Sequence, residues 1–154
     1  MESNMFCYQC QETAKGTGCI LKGVCGKESH TAQAMDLLLF VVRGISVVAD
    51  TLRKADCPVS EEVNVFVTDA LFCTITNANF DDESILKRVD KGIIMRNGLI
   101  QEAEHNKVFL PKVDELTWQG TRDDYAEKAK TVGVLREQVN GYAGFPPPDA
   151  IYRS

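Results

Sequence analysis

Three long stretches of this chain place apolar residues at helical spacing, and residues that stop helices lie between them. The first runs from Ala32 to Lys54, free of proline and, except for Gly44, of glycine, with Ser29 and Thr31 ahead of it as candidate N-caps. Its residues Leu37 to Val42 are apolar almost all the way round, which predicts a helix at the centre of a bundle. Pro58 breaks the pattern. Ser60 followed by Glu61 and Glu62 then reads as a cap with acidic residues in the first turn, where the helix dipole favours them. Val63, Phe66, Val67, Ala70 and Leu71 follow at helical spacing. The alternation of Val63, Val65 and Val67 would also suit a strand, but the pattern continues through Phe72 and Ile75, a length more typical of a helix. A third helix is expected from about Asp82 to Glu104, with Ile85, Val89, Ile93 and Ile100 on one stripe and Gly92 and Gly98 as weak points.

The expected fold class is therefore all-α, a cysteine-rich N-terminal loop followed by a bundle of three antiparallel helices. The loop, Phe6 to Lys27, contains Gly16, Gly18, Gly23 and Gly26 and reads as irregular backbone wrapped around something. Asn106 to Gly120 reads as a connector. Thr121 with Asp124 resembles a capping box ahead of a short amphipathic helix from Tyr125 to about Val139. Gly141 to Ser154, with its Gly-Phe-Pro-Pro-Pro run, reads as a disordered tail. The predicted division is a cluster-binding loop over 1–30, the bundle over 31–105, the connector and short helix over 106–140 and the tail over 141–154.

Composition narrows the function classes. A chain of 154 residues is the size of one ordinary domain, and 44% hydrophobic with 25% charged residues argues against disorder and against a membrane class. A net charge of -5 without any Lys/Arg-rich run leaves no electrostatic footprint for nucleic acid. No basic region followed by an apolar one opens the chain, and the most apolar stretch, Leu37 to Ala49, is interrupted by Arg43 and too short to span a bilayer. A cytoplasmic location is the default expectation, with neither membrane nor nucleic acid as partner.

The cysteines change the picture most. Four of the six fall within the first twenty-five residues, spaced Cys7-x2-Cys10-x8-Cys19-x5-Cys25. Thiolates crowded in this way repel unless a cation neutralises them, so in a reducing compartment the pattern points to metal chemistry. A Cys-x2-Cys pair alone permits a metal site or a redox disulfide. The x5 spacing of the second pair departs from the short knuckles of structural zinc sites, and a cluster cage, wider than one ion, accepts it; zinc remains the alternative. Lys15, Lys22 and Lys27 lie among the ligands, either offsetting an anionic cluster or simply solvated. Four thiolates leave no vacant position, which suits electron transfer.

Other candidates carry less. Cys57 and Cys73 lie outside the motif, and a lone helical cysteine is usually a small buried hydrophobe. His30 and His105 have no carboxylate or base patterned nearby in the sequence. Gln9, Gln11 and Glu12 are candidates to hydrogen-bond the loop backbone, with Glu12 as an anchor, and Phe6 and Tyr8 to shield the cluster from water.

Phe6-Cys-Tyr-Gln-Cys-Gln-Glu-Thr-Ala, then Gly18-Cys19 and Lys22-Gly-Val-Cys-Gly-Lys27, closely resemble the hybrid-cluster proteins, also called prismane proteins or hydroxylamine reductases. The resemblance continues through Asp36-Leu-Leu-Leu, Arg43-Gly-Ile-Ser and Phe72-Cys-Thr-Ile-Thr-Asn-Ala-Asn-Phe-Asp81, covers roughly residues 5 to 135 and weakens around Val134. It implies an oxidoreductase in which Cys7, Cys10, Cys19 and Cys25 hold a [4Fe–4S] cluster that relays electrons from a donor protein to a buried hybrid iron–sulfur–oxygen cluster. There, hydroxylamine is reduced to ammonia, and nitric oxide and nitrosation chemistry is associated with the same family. The cysteine spacing resembles the form found in anaerobes, whereas relatives with wider spacing can carry [2Fe–2S]. The hybrid-cluster ligands belong to later domains of those longer proteins, and Cys57, Cys73, His30 and His105 do not match them. No catalytic residue and no hybrid cluster are therefore expected here, and this chain alone is not expected to be catalytically competent. An isolated electron-transfer domain, an inactive truncated or frameshifted fragment normally joined to further domains, and a non-enzymatic zinc or interaction domain are the readings left open.

Overall fold

In the computed structural model, which describes residues 5–134, the three expected helices form, and two shorter ones follow. They are α1 (Ser29–Lys54), α2 (Glu61–Ile75), α3 (Asp82–His105), α4 (Asp114–Thr117) and α5 (Tyr125–Val132). Among the described residues no strand forms beyond one isolated bridge, Cys7 to Cys19.

The caps explain the boundaries. Ser60 accepts a hydrogen bond from the Glu62 N–H at the start of α2, as expected, and Asp81 does the same for the Glu83 N–H at the start of α3. Ser29 and Thr31, by contrast, lie inside α1, whose N-cap is Glu28 without a side-chain cap bond. Thr31 Oγ1 instead donates to Asp82 Oδ1 at 2.6 Å, so its hydroxyl joins two helices. The Thr121–Asp124 contact is present, with Asp124 Oδ2 accepting from Thr121 N at 2.7 Å and from Thr121 Oγ1 at 2.9 Å. The helix behind it is shorter than expected because Gly133 leaves the helical region at ψ 159. The remainder of that predicted helix, and the predicted disordered tail, lie outside the described residues.

α1 is the hub. Met35, Leu37, Leu38, Val41, Ile45, Val48 and Leu52 are fully buried, the outcome expected of a helix apolar on most of its circumference. Thr31 meets Asp82, Val41 meets Gly92 and Gly44 meets Arg96, a near-constant offset that makes α1 and α3 parallel. Phe66 of α2 reaches Gly92, while Asp69 pairs with Arg88 at 2.9 Å, so α2 runs antiparallel to α3 and consecutive helices alternate in direction. By length and composition α1 could cross a membrane, contrary to the expectation from its shorter apolar core, but 72% of its most apolar window is buried inside the molecule. It is a core helix.

The segment read as a connector does more than connect. Leu116 of α4 and Tyr125 and Ala129 of α5 join the same apolar core. Phe40 meets Trp118 edge-on at 5.8 Å. Arg96, fully buried, donates to Glu115 O at 2.9 Å and Trp118 O at 2.7 Å, tying this segment across α3.

Candidate metal centre

The N-terminal loop sits against the start of α1, through Gln9, and the end of α2, through Cys10. Its fixed point is the bridge in which Cys7 N donates to Cys19 O and Cys19 N to Cys7 O, both at 2.9 Å. Directly opposed residues in such a pair send their side chains to the same side, so the Cys7 and Cys19 thiols leave the bridge together. Both residues are buried, Cys10 and Cys25 are half-buried, and all six cysteines of the chain are free thiols.

The loop is held by contacts that only its particular residues permit. Gly18 has a positive φ of 114, and a Cβ there would stand 2.2 Å from the Phe6 ring, so Phe6 packs flat against bare backbone. Gly23 lets the backbone approach the last ligand candidate: a Cβ would meet Cys25 Sγ at 3.0 Å. Thr13 Oγ1, also buried, donates to Cys7 O at 3.1 Å and lies 3.7 Å from Cys19 Sγ.

Donors surround the sulfurs. Ala14 N donates to Cys19 Sγ at 3.4 Å, and from α2's C-terminal side Asn77 Nδ2 donates to Cys10 Sγ at 3.5 Å. Burial pushes the Cys19 thiol up, but the N–H groups of Ala14 and Val24, the Thr13 hydroxyl and Lys27 outweigh it and bring its pKa below the ordinary value. At Cys7 burial wins and raises the pKa, although Lys27 and the Gln9 N–H oppose it. The two partners of the bridge thus differ in how readily they ionise.

Of the three loop lysines, only one is enclosed. Lys22 pairs with Glu28 at 2.5 Å on the surface, and Lys15 is exposed. Lys27 is 1% exposed, and its Nζ donates to Gln9 Oε1 at 2.8 Å. The Gln9 amide nitrogen in turn donates to Ala32 O at 2.9 Å and Asp36 Oδ1 at 2.8 Å. Gln9, and not Glu12, is the side chain that anchors the loop; Glu12 is exposed. Asp36 is buried, and burial raises its pKa to about 6 against the opposing effects of Gln9, Lys27 and Arg43.

Among the described residues, no group of three or more His, Cys, Asp or Glu side chains is gathered tightly enough to hold a metal ion. The structure therefore identifies no metal site by geometry. What it supplies is donor chemistry: four thiols in one loop, N–H groups aimed at two of the sulfurs, and an enclosed ammonium behind them. These features fit an anionic thiolate-bound group. An open cavity of about 610 Å³, lined in part by Tyr8, Cys10, Glu12 and Ile75, lies beside the Cys10 edge.

Residues set aside in the sequence fall as follows. Cys73 is buried in the helical core, and Cys57 is half-buried against it. His30 does have a carboxylate partner, since its Nδ1 contacts Asp82 Oδ2, which comes from α3 and is invisible to local spacing. Phe6 is half-buried, whereas Tyr8 is 41% exposed and donates weakly to Gly16 O at 3.4 Å. Asn77, Asp36 and the enclosure of Lys27 were not singled out by sequence reasoning, because each depends on contacts between distant segments.

Fold and loop together define a helical domain fronted by a cysteine-rich cradle. The chain belongs to the Prismane/CO dehydrogenase family, a family of iron–sulfur proteins, whose profile matches residues 5–141. It is 54% identical over 134 residues to the hydroxylamine reductase of Bacteroides thetaiotaomicron, covering 86% of this chain and 24% of that protein. The hydroxylamine reductase of Porphyromonas gingivalis is 46% identical over 138 residues, covering 89% of this chain and 25% of the relative. That of Nitratidesulfovibrio vulgaris is 44% identical over 138 residues, covering 85% and 25%. The chain thus spans about a quarter of the length of these relatives, and the similarity lies with their N-terminal part.

Proposed function

We propose that this chain is the electron-relay part of a hydroxylamine reductase, with Cys7, Cys10, Cys19 and Cys25 as the ligands of a [4Fe–4S] cluster. The observation that carries this reading is the Cys7–Cys19 bridge, which puts two buried thiols on one side with N–H donors on sulfur and Lys27 enclosed behind. A cluster on four thiolates supplies reversible storage of one electron without an open coordination position.

The chain's own residues have defined tasks in this reading. The Ala14 N–H withdraws electron density from the Cys19 sulfur, which favours the reduced state. Lys27 offsets the negative charge from within the protein, where screening by water is weak. Gln9 fixes the position of that ammonium and ties it to α1 through Ala32 and Asp36. The helices behind the loop exclude water from its inner side. Electrons would arrive from a donor protein in the cytoplasm, and the reduction of hydroxylamine to ammonia would require a hybrid cluster whose ligands are not supplied by these residues.

Anaerobic reconstitution followed by iron and acid-labile sulfide analysis and electron paramagnetic resonance tests this. Iron and sulfide in equal amounts, with a signal that appears on reduction, are expected. One tightly held zinc without charge-transfer absorption would replace the reading with a structural metal domain. Hydroxylamine reduction by the isolated chain would overturn the assignment of the chemistry to residues elsewhere.

A further inference from the structure

Asn77 follows the C-terminus of α2, far in sequence from the cysteine loop, yet its side chain reaches the loop and donates to Cys10 Sγ at 3.5 Å. Its backbone is in the left-handed region at φ 53, a conformation that Asn tolerates better than most residues and that turns the side chain out of the helix direction. The turn around it is fixed from both ends. Thr76 N still donates to Phe72 O as the cap of α2, while Asn79 accepts from Asp81 N at 2.9 Å and donates to Ser84 Oγ at 3.1 Å at the entry to α3. The residues on either side of Asn77 are thus tied to the end of α2 and the start of α3, outside the loop that its side chain reaches.

We propose that Asn77 is a positioning residue for the iron–sulfur cluster, its amide N–H orienting the Cys10 sulfur and raising the cluster's reduction potential. The proposal rests on the reading that Cys10 is a cluster ligand. A thiolate sulfur accepts hydrogen bonds and donates none, so the amide must present its NH2 end to Cys10 and its oxygen to the protein. The Asn77 Oδ1 atom is buried and has no hydrogen-bond partner among the described residues, so the polar contact that the amide does make is the one from its nitrogen to Cys10. An N–H bond to a ligating sulfur draws electron density from it and stabilises the more negative, reduced state. Cys10 is where this contact has most to do. Cys19 already has N–H donors from its own loop, whereas Cys10 is half-buried beside the open cavity and receives this donor from another element.

The test is a redox titration of the reconstituted full chain, following the cluster's electron paramagnetic resonance signal, for wild type, Asn77→Asp and Asn77→Gly. Both substitutions tolerate the left-handed backbone; Asp keeps the shape but sets an oxygen where the N–H stood, and Gly removes the side chain altogether. Equal iron and sulfide content with a potential lowered in Asn77→Gly, and lowered further in Asn77→Asp, is the expected result. Loss of the cluster from both variants, with helical circular dichroism unchanged, would also support the positioning role. Potentials equal to wild type in both variants, with the cluster present, would overturn the proposal while leaving the cluster assignment standing. A wild-type chain that binds neither iron nor sulfide would overturn both.

Discussion

Asp36 shows how far a single residue's chemistry departs from its sequence context. It lies on α1 among apolar neighbours, and its carboxyl is driven to about 6 from an ordinary 3.8, chiefly by burial. Between those two values the folded state holds a proton that the unfolded state has released, so stability falls as pH rises through this window and levels off above it. The whole difference corresponds to about 3 kcal/mol. Asp36→Asn keeps an oxygen for the Gln9 amide and removes the buried charge. It is expected to gain most of that amount at about pH 7.5 and little at about pH 4, as read from urea denaturation midpoints. Nothing in the sequence around Asp36 announces this, because the enclosure is made by Gln9 of the loop and by Gly133, whose absent Cβ would stand 2.6 Å from the carboxylate. The four loop cysteines are the opposite case: their identity and spacing alone point to metal chemistry.

Two glycines flagged as equal weak points of α3 separate at the scale of elements. A Cβ on Gly92 would lie 2.7 Å from Val41 Cγ1 and 3.1 Å from Phe66 Cζ, at the place where α1, α2 and α3 come together, whereas Gly98 has nothing within 4 Å. Gly92→Ala should therefore destabilise by about 1–3 kcal/mol through overpacking. Gly98→Ala should stabilise by about 0.5–1 kcal/mol, since only the helix propensity changes. Thermal denaturation of the pair under one condition separates them. The periodicity of α3 was legible without either distinction, because a helix pattern says which face is apolar and not which position touches a neighbouring backbone or side chain. Arg96 makes the same point with the opposite sign. It stands on the stripe side of α3 as a charged residue, yet it is fully buried and satisfies the carbonyls of Glu115 and Trp118. Arg96→Met is expected to cost about 2–3 kcal/mol, from bonds made by a charged donor. Trp118, the chain's one tryptophan, should report it by a red-shifted emission as α4 loosens from the core.

At the scale of the whole molecule the apolar interior is in two parts. A large cluster joins α1 through α5, and a small one holds Met5, Cys7, Cys19 and Ala32. The first is by far the larger body of apolar contact, and on the proposed reading the second gains its order from the bound cluster. Iron chelation of the reconstituted chain is accordingly expected to leave far-ultraviolet circular dichroism almost unchanged while hydrogen exchange at the Cys7 and Cys19 amides accelerates. Simultaneous loss of both signals would show that the two parts fold as one. The sequence by itself determined the helical class, the three long helices to within a few residues at their starts and the ligand candidates, because each of these rests on local spacing and on the chemistry of a few residue types. Tertiary structure alone decided that the supposed connector completes the core, that one lysine of three is enclosed, that His30 has a carboxylate partner and that Asn77 reaches Cys10. Each of these is a contact between segments far apart in the chain, set by how α1 is surrounded, and no local pattern encodes it.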